Sequence, residues 1–231
     1  MSVSLISGAS SGVGCGIAKA CLSLGDQVIG LCRDPNKFNP KRLEYTPLVV
    51  DFSKIDTLEG LISPVIKKLK ALDLLVISAG YGYFSHLEEC SIHDMQRVMN
   101  VNFLSQAILV KLCLPLLKKS KGKLIIIGSE AALQGHKQGT MYCAAKFALR
   151  GFSQSLRLEC ATADVPVTLL NPGMVDTPFF DSLHFEPKDL RAHAIAVSSV
   201  VEAVQLVRDL VFPAVIDELM ISPMKRAVKK K

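Results

Sequence analysis

Val3-Ser4-Leu5-Ile6-Ser7, a short β-prone run, passes without a break into Gly8-Ala9-Ser10-Ser11-Gly12-Val13-Gly14. A helical pattern follows at once, with Ile17, Ala18, Cys21 and Leu22 on one apolar stripe. Glycine permits a tight backbone turn and lets a ligand come close without meeting a Cβ. The first turn of a helix carries unpaired N–H groups and the positive end of the helix dipole. A strand, glycine loop and helix in this order are therefore suited to holding a phosphate. A glycine-rich turn elsewhere would say little; its place between a first strand and a first helix gives it meaning.

Six further aliphatic runs recur along the chain, at Gln27–Cys32, Leu48–Phe52, Leu72–Ser78, Lys123–Gly128, Val165–Asn171 and Glu218–Ser222. Most are continuous rather than alternating, as parallel strands covered on both faces require. The stretches between them are long enough for helical crossovers. Asp56-Thr57-Leu58-Glu59 and Ser199-Val200-Val201-Glu202 have the form of capping boxes, and Ser91 is placed to cap a third helix. The pattern predicts an α/β fold: one doubly wound, seven-stranded parallel sheet flanked by helices. No repeat or linker divides the chain, so residues 1–224 are expected to form one domain. Residues 178–198 follow the sixth strand and are expected to lie as a loop over the carboxyl edge of the sheet.

The 231 residues are 49% hydrophobic and 21% charged, which argues against disorder. Part of the +6 formal charge sits in Lys225-Arg226-Ala227-Val228-Lys229-Lys230-Lys231, expected to be a solvated, frayed tail. No Arg stripe interleaved with aromatics points to nucleic acid. Seven Cys are scattered without CxxC or metal-ligand spacing, so no metal site is expected and free thiols in a reducing, cytoplasmic setting are. Residues 1–18 carry no charge, but nine of them are Ser or Gly and no basic run precedes them, which fits neither a signal peptide nor a membrane span.

Three other groups carry chemistry. Tyr142 and Lys146 stand four apart at the start of a helix, on one face. Ser129 ends the fifth strand, thirteen residues upstream of Tyr142, and Asn102 lies on a long helix of about residues 91–117. Asn171-Pro172-Gly173-Met174-Val175-Asp176-Thr177 leaves the sixth strand through a Pro-Gly turn. The second strand ends in Arg33-Asp34, where an acid would accept bonds from a ribose 2′-hydroxyl and an Arg would pair with a 2′-phosphate. A Tyr has an ordinary pKa of about 10 and must fall by roughly three units to act as a base near pH 7. A neighbouring Lys favours the phenolate.

The loop spacing is G-x-x-x-G-x-G, and with Asn102, Ser129, Tyr142 and Lys146 in order the chain resembles the classical short-chain dehydrogenases/reductases (SDRs). The likeness runs over about residues 3–222. It implies a single Rossmann-like domain that binds a nicotinamide dinucleotide through Gly8, Ser10, Ser11, Gly12, Val13 and Gly14. It further implies Asp51 and Phe52 at the adenine, Ala79 and Gly80 beside the ribose, and Pro172, Gly173, Val175 and Thr177 at the carboxamide. Tyr142 would then be the general acid/base, Ser129 the oxyanion donor, Lys146 the ribose ligand, and Asn102 the holder of a relay water. Arg33 marks NADP(H) in similar sequences, with NAD(H) the alternative. The implied activity is hydride transfer to or from a carbonyl or secondary alcohol; a nucleotide-sensing regulator without turnover is the reading from another class.

Substrate-facing positions implied by the resemblance are Tyr81, Tyr83, Phe84, Ala131, His136, Met174, Phe179, Phe180 and Leu183, mostly apolar. It also implies a homodimer or homotetramer, with Cys113, Leu117, Phe147 and Phe152 at the contact. The chain departs from the family in Ile77-Ser78-Ala79-Gly80, where Asn-Asn-Ala-Gly is usual. The two missing amides are expected to weaken a cross-sheet hydrogen-bond network.

Overall fold

The computed structural model describes residues 1–231. Nine strands form: β1 Val3–Ser7, β2 Gln27–Cys32, β3 Tyr45–Val49, β4 Leu74–Ile77, β5 Lys123–Ile127, β6 Val167–Pro172, β7 Phe185–Pro187, β8 Glu218–Ile221 and β9 Val228–Lys230. Seven make one parallel sheet in the order β3-β2-β1-β4-β5-β6-β8. The chain winds outward from β1 to β3, then returns past β1 to lay down β4. That reversal leaves a crevice at the carboxyl ends of β1 and β4.

Helices α1 Gly12–Ser23, α2 Leu58–Ile66, α3 Ile92–Met99, α4 Ser105–Ser120, α5 Thr140–Ala161, α6 Leu190–His193 and α7 Val197–Asp209 complete the fold. α1 and α7 cover one face of the sheet; α2, α4 and α5 cover the other. Neighbouring strand residues alternate between the two cores. Leu5, Leu75, Leu124 and Ile126 join the second, while Ile6, Val76, Ile125 and Ile127 join the first. Both faces are dry, which is why the strands read as continuous aliphatic runs.

Several sequence expectations are corrected. β3 begins at Tyr45 rather than Leu48, because β2 offers partners only for Tyr45 to Val49. Pro47 is tolerated there since β3 is the edge strand. Neither capping box forms. A 3-10 turn, Ile55–Thr57, precedes α2, and α7 starts two residues ahead of Ser199; neither helix has a side-chain cap bond. Ser91 does cap, accepting from the Asp94 N–H at 3.0 Å. Helical structure continues from Ile92 to Ser120 through a π turn at Asn100–Leu104. This stretch is long and apolar enough to cross a membrane, but Leu109, Cys113 and Leu117 are fully buried within the core. Cys113 and Leu117 are therefore unavailable for a subunit contact. The basic tail is not frayed: β9 pairs antiparallel with β7.

α7 is fastened to the amino edge of the sheet by Arg208. Its guanidinium donates to both oxygens of Asp26, at 2.7 and 2.8 Å, and the Ser4 hydroxyl donates to the same carboxylate at 2.7 Å. Asp26 is 2% exposed, so losing one partner leaves a buried charge. Asp26→Ala is expected to lower the unfolding free energy by about 3 kcal/mol in urea denaturation. Asp26→Ala with Arg208→Met should recover most of that; equal loss in both variants would contradict the pair's role.

Candidate active site

The glycine loop crosses the crevice where β1 and β4 separate. Gly8 and Gly12 adopt positive φ, +72° and +51°, a region side chains disfavour. A Cβ on Gly8 would also lie 3.0 Å from Ala79 Cα, and one on Gly12 would lie 3.3 Å from the Thr177 methyl. The loop thus touches the exit of β4 on one side and the segment after β6 on the other. Gly14 and Val13 stand in the first turn of α1, and the N-cap Ser11 makes no side-chain bond to that turn. No acidic side chain competes there, so the orphan N–H groups beside Ser10 and Ser11 are free for an anion.

The Ser7 hydroxyl ties this crossing together. It accepts from the N–H groups of Ser78 and Ala79, at 2.9 and 3.0 Å, and donates to Gln106 Oε1 at 3.2 Å. Gln106 Nε2 in turn donates to the Val101 carbonyl and the Ser105 hydroxyl, both at 3.0 Å. The expected weakening from Ile77-Ser78 is thus answered locally: Ile77 packs in the core, and Gln106, 1% exposed, supplies an amide. Sequence reasoning missed Gln106, because a Gln in an apolar helix gives no sign that it faces a strand end.

At the end of β2 the two charges part. Asp34 turns back to accept from the Asn36 N–H at 2.9 Å, capping its own turn. Arg33 is exposed and has no ion-pair partner. Asp51 lies near it. Burial would raise the Asp51 carboxyl, but the Ser53 N–H and hydroxyl, at 3.0 and 2.8 Å, outweigh it together with the Arg33 and Lys54 cations, and hold it below its ordinary value. One Asp51 oxygen is therefore occupied by its own turn. Phe52 is a core side chain, leaving only its backbone for a ligand.

Ser129, Tyr142, Lys146 and Asn102 meet at the carboxyl edge between β4 and β5. Ser129 Oγ accepts from the Ala131 N–H at 3.1 Å and keeps its own proton to donate. Tyr142 is buried, which pushes its phenol well above the ordinary value; a hydrogen bond with Ser129 works the other way. Lys146 Nζ lies 5.8 Å from the Tyr142 ring centre and donates to the Ile127 carbonyl at 3.3 Å. It has no carboxylate partner, and burial pushes it down to about 8. The site thus holds an uncompensated buried amine beside a buried phenol, each 6% exposed.

Asn102 is fully buried on the π turn. Its Oδ1 accepts from the Tyr81 N–H at 3.0 Å and its Nδ2 donates to the Val98 carbonyl at 3.2 Å. A Cβ on Gly80 would lie 2.7 Å from that Oδ1 and 3.9 Å from Lys146 Nζ, so both side chains face Gly80. The segment after Ala79 is thereby held to the helix.

A second chain of bonds reaches Ser129 from behind. Its N–H donates to Asn171 Oδ1 at 3.1 Å, and Asn171 Nδ2 donates to Glu218 at 2.6 Å. Glu218 pairs with Arg150 at 2.9 Å. These three residues link β6, β8 and α5 to the serine. Sequence reading took Asn171 as the end of the sixth strand and Glu218 as the start of the seventh, and gave no role to either or to Arg150, because the three are far apart in the chain.

Pro172 closes β6, and the Gly173 N–H still donates to the Ile221 carbonyl at 2.7 Å. Val175 is bridged to Ile195, and the Thr177 hydroxyl donates to the Val175 carbonyl at 3.3 Å. Residues 178–187 then bring Phe179 to 5.9 Å from the Tyr142 ring, and Phe84 from the segment after β4 lies 5.3 Å from it. Ala131 joins that cluster, and Phe180 and Leu183 are buried under the loop. Tyr81 instead stacks under Arg97, and His136 is exposed.

A family model described as short chain dehydrogenase matches residues 2–187. The chain belongs to the short-chain dehydrogenase family. An uncharacterized oxidoreductase of Staphylococcus epidermidis is 32% identical over 200 residues, covering 84% of this chain and 87% of that one. An L-fucose dehydrogenase of Mus musculus is 31% identical over 194 residues, covering 82% and 71%. An alcohol dehydrogenase from the archaeon Thermococcus sibiricus, solved in complex with 5-hydroxy-NADP, superposes with a TM-score of 0.87 at 27% identity, covering 98% and 99%. This short-chain dehydrogenase is thus an oxidoreductase of a family that uses nicotinamide cofactors on CH–OH and C=O groups.

The buried lysine has a measurable signature. Its pKa of about 8 lies below the ordinary 10.5, so the folded protein binds fewer protons between those values and gains stability as pH rises through them. Below pH 8 the penalty is complete. Lys146→Met, without cofactor, is expected at pH 7 to equal or exceed wild type by up to ~3 kcal/mol in urea denaturation. The gap should close toward pH 10.5. A variant clearly weaker than wild type at pH 7 would contradict a desolvated cation.

Proposed function

We propose that this short-chain dehydrogenase transfers hydride between NADP(H) and a carbonyl or secondary alcohol, with Tyr142 as general acid/base. The observation that carries the reading is the buried Tyr142–Lys146 pair, with the partly buried Ser129 beside it, at the edge of a cradle suited to a dinucleotide. The residues fit that cofactor: the free N-terminus of α1 suits the pyrophosphate, and the tight passage at Gly8 and Gly12 admits no side chain. When bound, the nicotinamide supplies or accepts the hydride.

The chain's own groups do the rest. In reduction, Tyr142 donates its proton to the substrate oxygen, and Ser129 donates a hydrogen bond to the same atom as charge develops there. Lys146 holds the nicotinamide ribose, and its charge favours the phenolate left behind. Asn102 Oδ1, with one lone pair on Tyr81, keeps a second for a water that relays protons from Lys146. Val175 and Thr177 hold the carboxamide, and Asp51 and Phe52 border the adenine.

Cofactor choice follows from Arg33. It is free to pair with a 2′-phosphate, while Asp34 is turned into its own cap. NAD(H) is the alternative, favoured only if Asp34 leaves that cap. Residues 1–224 serve as one cofactor-binding and catalytic domain. Exposed Phe147 and Leu158 on α5 suit a homo-oligomer, and seven free thiols suit the cytoplasm.

A carbonyl panel followed by NADPH absorbance, beside an NADH control, tests the whole reading. NADPH is expected to be preferred at least tenfold in kcat/KM, and Arg33→Ala to remove most of that preference. Tyr142→Phe should cut turnover at least ~10²-fold. Near-wild-type turnover in Tyr142→Phe, or a tenfold preference for NADH, would overturn it. Cofactor binding with no turnover across the panel would favour a nucleotide-sensing role.

A further inference from the structure

The segment Arg226–Lys231 folds back over the loop that roofs Tyr142. Val228–Lys230 pairs with Phe185–Pro187, and the ribbon is extended by Lys188 N–H to the Ala227 carbonyl and Lys231 N–H to the His184 carbonyl, both 3.0 Å. A two-stranded ribbon is marginal by itself, and Pro187 lacks an N–H. Charge and packing support it. Glu186 lies 3.1 Å from Lys229 Nζ and 3.8 Å from Lys231 Nζ. Lys231 Nζ also donates to the Phe180 carbonyl at 2.5 Å. Inside, Phe185 packs edge-on to Phe84 at 4.9 Å, and Phe84 packs on Tyr142.

The tail therefore braces the outer side of an aromatic wall whose inner side faces the phenol. It also reaches the acid next to Ser129. Arg226 lies 3.8 Å from Glu130, a partly buried carboxylate that would otherwise put an uncompensated negative charge beside the substrate oxygen. With the wall seated, Tyr142 is only 6% exposed.

We propose that Arg226–Lys231 is a specificity element of the substrate site. By pinning Phe180 and Phe185 and pairing Glu130, it gives the substrate site an apolar, charge-neutral wall of edge-packed aromatic rings. That wall selects uncharged carbonyl compounds with an apolar flank, of which acetophenone is a simple case. The substrate class rests on the carbonyl reading above; the bracing of the loop does not.

The test compares the full chain with a variant lacking 226–231 and with Glu186→Lys, the latter also combined with Lys229→Glu. Two quantities are read: hydrogen exchange at the Lys188 amide, and calorimetric affinity for acetophenone in the NADP⁺ complex, where no turnover occurs. Deletion and Glu186→Lys are expected to speed exchange at Lys188 at least 100-fold and weaken acetophenone at least tenfold. NADP⁺ affinity should stay within twofold, and the charge-swapped pair should regain protection. Equal exchange in the full and shortened chains would overturn the bracing. Acetophenone affinity unchanged by deletion, or absent in the full chain, would overturn the specificity. If NADP⁺ itself does not bind, the proposed function fails, and Lys188 exchange still decides the strap.

Discussion

The molecule depends on the close passage of the Gly8 backbone past the backbone of Ala79. The two strand ends part here, and any side chain on residue 8 would close the gap. A single hydroxyl, Ser7, spans it by accepting two N–H bonds from the exit of β4. With the crossing fixed, α1 presents its unpaired N-terminus to the crevice. The chain beyond Ala79 is then delivered to Asn102 and to the face of Lys146. The glycine loop and the Tyr142–Lys146 pair are two ends of one constraint.

Burial supplies the chemistry. Tyr142 and Lys146 sit where water does not stabilise their charged forms, so the phenol holds its proton and the amine gives up its own easily. Lys146 has no carboxylate partner, and the nearby Glu130 carboxylate pushes the phenol further up. Such a pocket responds strongly to a cation entering it, because the field is not screened by solvent. Asn171, Glu218 and Arg150 hold Ser129 in place from the opposite side. The outermost strand of the sheet thus bears on the position of a hydroxyl at its centre.

Much of this was legible in the residues. The continuous aliphatic runs located all seven strands of the sheet, since a two-sided core demands apolar residues on both faces. The glycine spacing located the crossing at the crevice, and the Tyr142–Lys146 interval placed a phenol and an amine on one side of α5. The missed features are those whose cause lies far away in the chain. Gln106 compensates for Ile77-Ser78 only because α4 passes beneath β4. Thr46-Pro47 conceals the start of β3, because only an edge strand accepts that pair. The cationic tail has the composition of a frayed end, yet Glu186 gives it a partner 43 residues before Lys229. Local sequence carries no record of such pairings.

On the proposed reading, the buried site sets the proton on Tyr142 according to the charge beside it. The chain has no Trp and only four Tyr, so phenolate absorbance can be followed without overlap. The direct measurement is an ultraviolet pH titration of wild type and Tyr142→Phe, each with and without NADP⁺. Without cofactor, the phenolate signal missing in Tyr142→Phe should arise only at strongly alkaline pH. With NADP⁺ it should move down by two or more pH units. A difference signal that titrates as an ordinary tyrosine, or that NADP⁺ leaves in place, would contradict the account.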